Sequence, residues 1–184
     1  YFVSIDKNNG VIVSGALIAP DIVLSAGHVA LDNVDNLTLK VGPHSMNETE
    51  SFAEEISIEQ WVIPPDWSPI GYISFANDYM IFKLTNCSSH KPIKINYNPQ
   101  IPFSGEDVIM IGLGWTNKSF TSPATIVQEV ELLTISNEEC ANATDPARGL
   151  TYNDGTIDDS MLCTKAPPQT TRDGWYVRRF ARCV

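Results

Sequence analysis

Long hydrophobic runs are missing from this sequence. No apolar stretch approaches the ~18–20 residues that cross a bilayer as one helix, so no membrane span is expected. No two cysteines stand as a Cys-x-x-Cys pair, which removes the usual spacing of a zinc or thiol-redox site. No metal and no cofactor are expected. Cations are scarce: 12 Lys and Arg against 22 Asp and Glu leave a net charge of −10. Binding to phosphate backbones needs Lys and Arg, so nucleic acid is excluded as a partner. Long helical periodicity is absent, which excludes a helical bundle. A secretory leader is absent too. The chain opens on Tyr1-Phe2-Val3-Ser4-Ile5, the pattern of a strand interior, and is expected to be trimmed at its start.

What is present suits a globular β protein. The chain has 184 residues, 43% hydrophobic and 18% charged. All-β barrels run to ~200–250 residues as single domains, so this is one domain or slightly less. Five Asn-x-Ser/Thr sequons, at Asn36, Asn47, Asn86, Asn117 and Asn142, point to the secretory route and to glycosylation. So do the four cysteines, Cys87, Cys140, Cys163 and Cys183, whose expected use is a disulfide between some of them.

Short apolar or alternating runs recur between turn residues. Val11-Ile12-Val13 follows the hairpin signal Asn8-Asn9-Gly10. Ala16–Ala19 stops at Pro20-Asp21, and Ile22–Ser25 follows at once. Further strands are expected at Leu37–Val41, Met80–Leu84, Val108–Ile111 and Val127–Leu133. Such spacing predicts an all-β barrel or sandwich. One short helix is expected at Asn137–Cys140, capped by Asn137, with acids in its first turn. Residues 88–104 hold Pro92, Pro99 and Pro102 and read as a linker between two β units, 1–87 and 105–169. Residues 170–184 depart from this acidic, β-rich style, crowding Arg172, Arg178, Arg179 and Arg182 into a short tail.

The chemistry concentrates at His28. His44 and His90 sit in turn-like Gly-Pro-His-Ser and Ser-Ser-His-Lys segments. His28 instead ends a strand–turn–strand, Ser14 to Ser25, and follows the small residues Ala26 and Gly27. Small neighbours let the backbone pack closely and leave the imidazole projecting from a strand end.

This context resembles the histidine motif of trypsin/chymotrypsin-like serine proteases, with Ser25-Ala26-Gly27-His28 in its place. The resemblance continues in order. Val41-Gly42 is similar to the family's next turn, and Ile63-Pro64-Pro65-Asp66-Trp67 to the segment before its aspartate. Asn77-Asp78-Tyr79-Met80-Ile81-Phe82-Lys83-Leu84 is similar to the aspartate motif itself. Ile111-Gly112-Leu113-Gly114-Trp115 resembles the glycine-tryptophan-glycine strand, with Leu113 in the tryptophan slot. Cys140 and Met161-Leu162-Cys163 resemble the paired-cysteine loop of the second barrel. The resemblance implies two six-stranded antiparallel β-barrels, the second incomplete, and proteolysis by a His-Asp-Ser triad. It implies His28 as general base, Asp78 as the carboxylate that orients it, and a Cys140–Cys163 disulfide. Protein or peptide substrates and protein inhibitors are the implied partners, in an extracellular setting.

Four departures accompany it. Ser14 and Val29 occupy the slots of the family's histidine-loop disulfide, so that loop must rely on packing. The family's freed amino terminus, which inserts and orders the catalytic centre, would precede Tyr1. The glycine-aspartate-serine-glycine-glycine nucleophile motif does not occur, and Ser160, the last serine, precedes Cys163 and takes no catalytic assignment. The remaining second-barrel strands and terminal helix would follow Val184. The chain is therefore expected to be inactive as it stands. A non-catalytic pseudoprotease that binds protein is the alternative reading, and an unrelated β-barrel binding protein is the third. Arg172-Asp173-Gly174 resembles the approach to the nucleophile. Arg178-Arg179-Phe180-Ala181 can be encoded AGG CGA TTC GCN, which read one base later contains GGC GAT TCG, Gly-Asp-Ser. Trp175–Val184 is accordingly expected to be out of frame.

Overall fold

The computed structural model describes residues 1–8, 12–31, 34, 37–46, 52–67, 76–114, 124–145, 150–151, 157 and 159–168. The tail 169–184, with Cys183, lies outside the described residues, as do Asn9-Gly10, Trp115 and the sequons at Asn36, Asn47 and Asn117.

Seven strands form one antiparallel sheet: β1 (Phe2–Asp6), β2 (Ile12–Ala19), β3 (Ile22–Ser25), β4 (Thr38–Val41), β5 (Glu54–Ile56), β6 (Ile58–Val62) and β7 (Met80–Leu84). The order across the sheet is β5-β4-β1-β2-β3-β7-β6. Its two outer strands are neighbours in the chain, with only Ser57 between them. A sheet whose edges are successive pieces of one strand must curl back on itself. β5 and β6 are thus two halves of one bent stave, and the seven strands make a closed six-staved barrel. Thr85 N–H donates to the Ser57 carbonyl at 2.9 Å, tying β7 to that bend.

The inward face follows the period-two pattern. β7 alternates buried and half-buried from Met80 through Phe82 to Leu84. Val3, Ile5, Leu17, Val23, Leu39 and Val41 meet these side chains in one core. Fully burying each such side chain stabilises the fold by about 1.5–3 kcal/mol. Val29 lies in the same core at 0% exposure. That is how the histidine segment is held where Ser14 and Val29 provide no disulfide. Strand β6 was not evident as a strand because four of its five residues are exposed and carry no alternation.

The second unit is a smaller antiparallel sheet ordered β12-β9-β8, from β8 (Asp107–Gly112), β9 (Gln128–Ile135) and β12 (Cys163–Lys165). β10 (Thr144–Asp145) and β11 (Leu150–Thr151) pair separately. This is an all-β fold with a complete first barrel and, among the described residues, an incomplete second one. Helix α1 spans Asn137–Ala141, but its cap is Ser136 rather than the expected Asn137. The Ser136 hydroxyl accepts from Glu139 N–H at 3.1 Å, the bond an N-cap must make, which Asn137 inside the helix cannot.

Residues 85–106 contain no strand. Their start is bound to the first barrel through Glu54 on β5, whose carboxylate accepts from the hydroxyls of Ser88 and Ser89, each at 2.5 Å. His90 Nε2 donates to the Phe52 carbonyl at 2.7 Å. Two backbone hydrogen bonds, flanking one isolated antiparallel bridge between Ser45 and Ile126, also join the units: Met46 N–H donates to Thr125 O at 2.7 Å and Val127 N–H to His44 O at 2.9 Å.

Candidate active site

His28 does not project from a strand end as expected. It lies in a 3-10 helix, Gly27–Leu31, that starts just after β3. Asp78 lies just before β7, which pairs with β3 through Ser25 opposite Met80. That register brings the end of β3 beside the start of β7, and so brings together two residues 50 positions apart.

They meet at two points. His28 backbone N–H donates to Asp78 Oδ1 at 2.7 Å, and the ring Nδ1 meets Oδ2 at 2.8 Å. A carboxylate is an acceptor, so in the neutral ring Nδ1 carries the proton and Nε2 keeps its lone pair. With both oxygens engaged by one residue, neither carboxylate nor imidazole turns freely. Asp78 is 2% exposed, whereas the His28 side chain is 31% exposed. The acid is shielded from water and the imidazole remains reachable.

Gly27 is part of this shielding. A Cβ there would stand 3.0 Å from Tyr79 O, 3.2 Å from Asp78 Oδ1 and 3.3 Å from Trp67 Cε2. Without it, the indole and the Asp78 turn close directly over the glycine backbone. Asp78 itself is central in a three-residue turn, with Tyr79 N–H donating to Asn77 O at 2.8 Å.

Sequence reasoning singled out His28 and Asp78, which the structure brings together, but gave no role to Asn77. Asn77 has φ 56°, in the left-handed region. Its one signal was an asparagine, a residue enriched in that region, next to a candidate aspartate. Ser160 lies against this turn, its hydroxyl accepting from Asn77 N–H at 3.2 Å. Among the described residues, the His28 ring meets Asp78 and no serine.

The cysteines of the resembling loop are bonded. Cys140 and Cys163 are joined, with their Cα atoms 6.1 Å apart, and the bridge ties α1 to β12. Cys87 is exposed and carries a free thiol.

The family model described as Trypsin matches residues 1–174. The chain belongs to the trypsin family. Granzyme M of Rattus norvegicus is 25% identical over 171 residues, covering 90% of this chain and 62% of that protein. Granzyme M of Homo sapiens is 22% identical over 170 residues, covering 90% of this chain and 61% of its own length. The chain thus spans about three-fifths of the length of these curated relatives. Among solved structures, mouse neuropsin, a serine protease, superposes with a TM-score of 0.74 at 20% identity. That superposition covers 89% of this trypsin-family chain and 68% of neuropsin, and it supports the fold alone. No described helix is long and apolar enough to cross a membrane.

Proposed function

We propose that the chain is part of a secreted serine endopeptidase domain that cleaves peptide bonds in protein or peptide substrates. The two-point grip of Asp78 on His28, with Nε2 left to take a proton, carries this reading. A serine hydroxyl is a weak nucleophile until a base removes its proton. His28 is that base. It then returns the proton to the leaving amine, while Asp78 holds the tautomer and stabilises the imidazolium formed in between.

The nucleophile comes from sequence outside the present reading frame. The family match stops at Gly174, and Trp175–Val184, the tail set apart above, lies beyond it. The codon choice AGG CGA TTC GCN at Arg178–Ala181 would supply Gly-Asp-Ser in the frame one base later. We divide the chain into a first barrel, 1–87, a linker, 88–104, a partial second barrel, 105–169, and this tail, 170–184. Secretion is supported by the Cys140–Cys163 bridge and by exposed Asn86 and Asn142, both in sequons.

A fluorophosphonate probe tests the assignment, because it reacts only with an activated serine. The protein translated from the shifted frame takes up the probe, and His28→Ala abolishes uptake. The 184-residue chain takes up none. Failure of the shifted product to react, with its fold intact, would overturn the enzyme reading and leave the protein-binding pseudoprotease.

A further inference from the structure

We infer that Asn77 is the positioning residue for Asp78, and that a clasp between Asn77 and Asp66 keeps the carboxylate aimed at His28. The inference rests on the reading of His28 and Asp78 as base and orienting acid. Asn77 is fixed on three sides. Its side-chain Nδ2 donates to Asp66 Oδ2 at 2.8 Å. Its backbone N–H donates to Ser160 Oγ at 3.2 Å. Its carbonyl closes the tight turn over Asp78 by accepting from Tyr79 N–H.

Each tie has a mechanical consequence. The φ of 56° at Asn77 turns the chain immediately before Asp78. A β-region φ there would aim the next side chain elsewhere, so the direction of the carboxylate depends on this one backbone angle. Asparagine tolerates the left-handed region better than most residues, and its amide is short enough to bond locally. The Asp66 partner fixes both that amide and the following residue, Trp67, whose indole borders the glycine beside Asp78. The bond closes the neck between 66 and 77, so Trp67 and Asp78 are held by one clasp. Trp67 N–H donates to Pro64 O at 3.1 Å, which anchors the other side of the neck.

The Ser160 contact extends the brace to the second unit. Ser160 precedes Cys163 by three residues, and Cys163 is bonded to Cys140 and paired with Ile135 on β9. A disulfide-anchored segment of the second unit therefore supports the aspartate of the first, through Asn77.

The test is solvent exchange of the His28 Nδ1 proton, followed by NMR in the purified 184-residue chain with labelled histidine. His28→Ala assigns the signal among the three histidines. Opening of the Asp78–His28 bond sets the exchange rate. In Asn77→Ala the rate rises about tenfold, the scale expected when a strained left-handed site loses its suitable residue. Asp66→Ala raises it in the same direction. Asp66→Asn, which keeps an acceptor for the Asn77 amide, restores the slow rate. If Asn77→Ala does not fold, the exposed Asp66 pair decides the question alone. Unchanged exchange in Asp66→Ala, or equal acceleration in Asp66→Asn, overturns the inference. Catalysis is not read in this experiment. The enzyme reading fails separately, through the probe reaction, and exchange insensitive to Asp66 leaves that reading standing.

Discussion

Asp78 holds His28 by backbone and ring together, at 2.7 Å and 2.8 Å, across the antiparallel pairing of β3 with β7. The pairing matters because a one-residue slip would move every side chain of β7 to the opposite face. Met80, Phe82 and Leu84 would leave the core, so the hydrophobic register that stabilises the barrel also sets the position of Asp78. Stability and site geometry share one cause here.

Phe82→Ala should therefore be among the most damaging core substitutions. Phe82 is 0% exposed and pairs with Val23 on one side and Trp61 on the other. Its truncation is expected to cost about 3–5 kcal/mol. Urea unfolding followed by fluorescence measures this, and a loss below about 1 kcal/mol would mean the barrel core is not packed as described.

Reduction of the Cys140–Cys163 bridge should loosen the second unit before the first. The bridge closes a loop with a sequence separation of 23. Its removal is expected to cost about 2–4 kcal/mol, a figure that varies with strain and with residual structure in the unfolded chain. Hydrogen exchange of the Cys140→Ser/Cys163→Ser variant should accelerate in β9 and β12 while β1, β2 and β4 stay protected. Uniform acceleration over both units would contradict the division at the linker.

Gly42 meets two demands at once. Its φ is +77°, and a Cβ built there falls 2.3 Å from His90 Cε1. Gly42→Ala should cost about 1–3 kcal/mol from backbone strain alone, with the clash adding to it. In a His90→Ala background the clash disappears and only the backbone part remains. Thermal unfolding of the four proteins separates the two, and a penalty unchanged by His90→Ala would show that the ring does not sit over Gly42.

Glu54 supplies a pH dependence with a definite sign. The hydroxyls of Ser88 and Ser89 hold its carboxyl below the usual glutamate range, mainly through the Ser88 bond. A group depressed on folding contributes its stability above its unfolded value and loses it as the pH falls through the depressed one. The acid limb of the stability profile should flatten in Glu54→Gln. The glutamate is partly exposed, so the effect is small, and an identical acid limb in both proteins would contradict the clamp.

Most of the architecture was legible because buried strands carry a period-two signal. Met80–Leu84 and Ile22–Ser25 read from sequence as they stand in the structure. β6 did not, because its side chains face solvent and only pairing with β7 makes it a strand. Barrel closure at Ser57 was also unreadable, since the two halves of a bent stave are revealed only by their different partners. At the candidate site, His28 was singled out by its small neighbours and Asp78 by the apolar strand behind it, and the structure brings the two into contact. Asn77 was hidden because a left-handed angle leaves only a weak compositional trace. The helix cap shifted by one residue, from Asn137 to Ser136, because serine and asparagine are both favoured cap residues and only the helix boundary separates them.

Hydrolysis of a fluorogenic peptide panel tests the central claim most directly. The protein to use is the product whose frame carries Gly-Asp-Ser, compared with its His28→Ala and Asp78→Asn variants. In enzymes with this triad, loss of the histidine lowers kcat by about 10⁶ and replacement of the aspartate by asparagine by about 10⁴. The account predicts turnover in the parent protein and losses of that order in the two variants. Turnover that survives His28→Ala, or a folded parent protein that cleaves nothing, would contradict it.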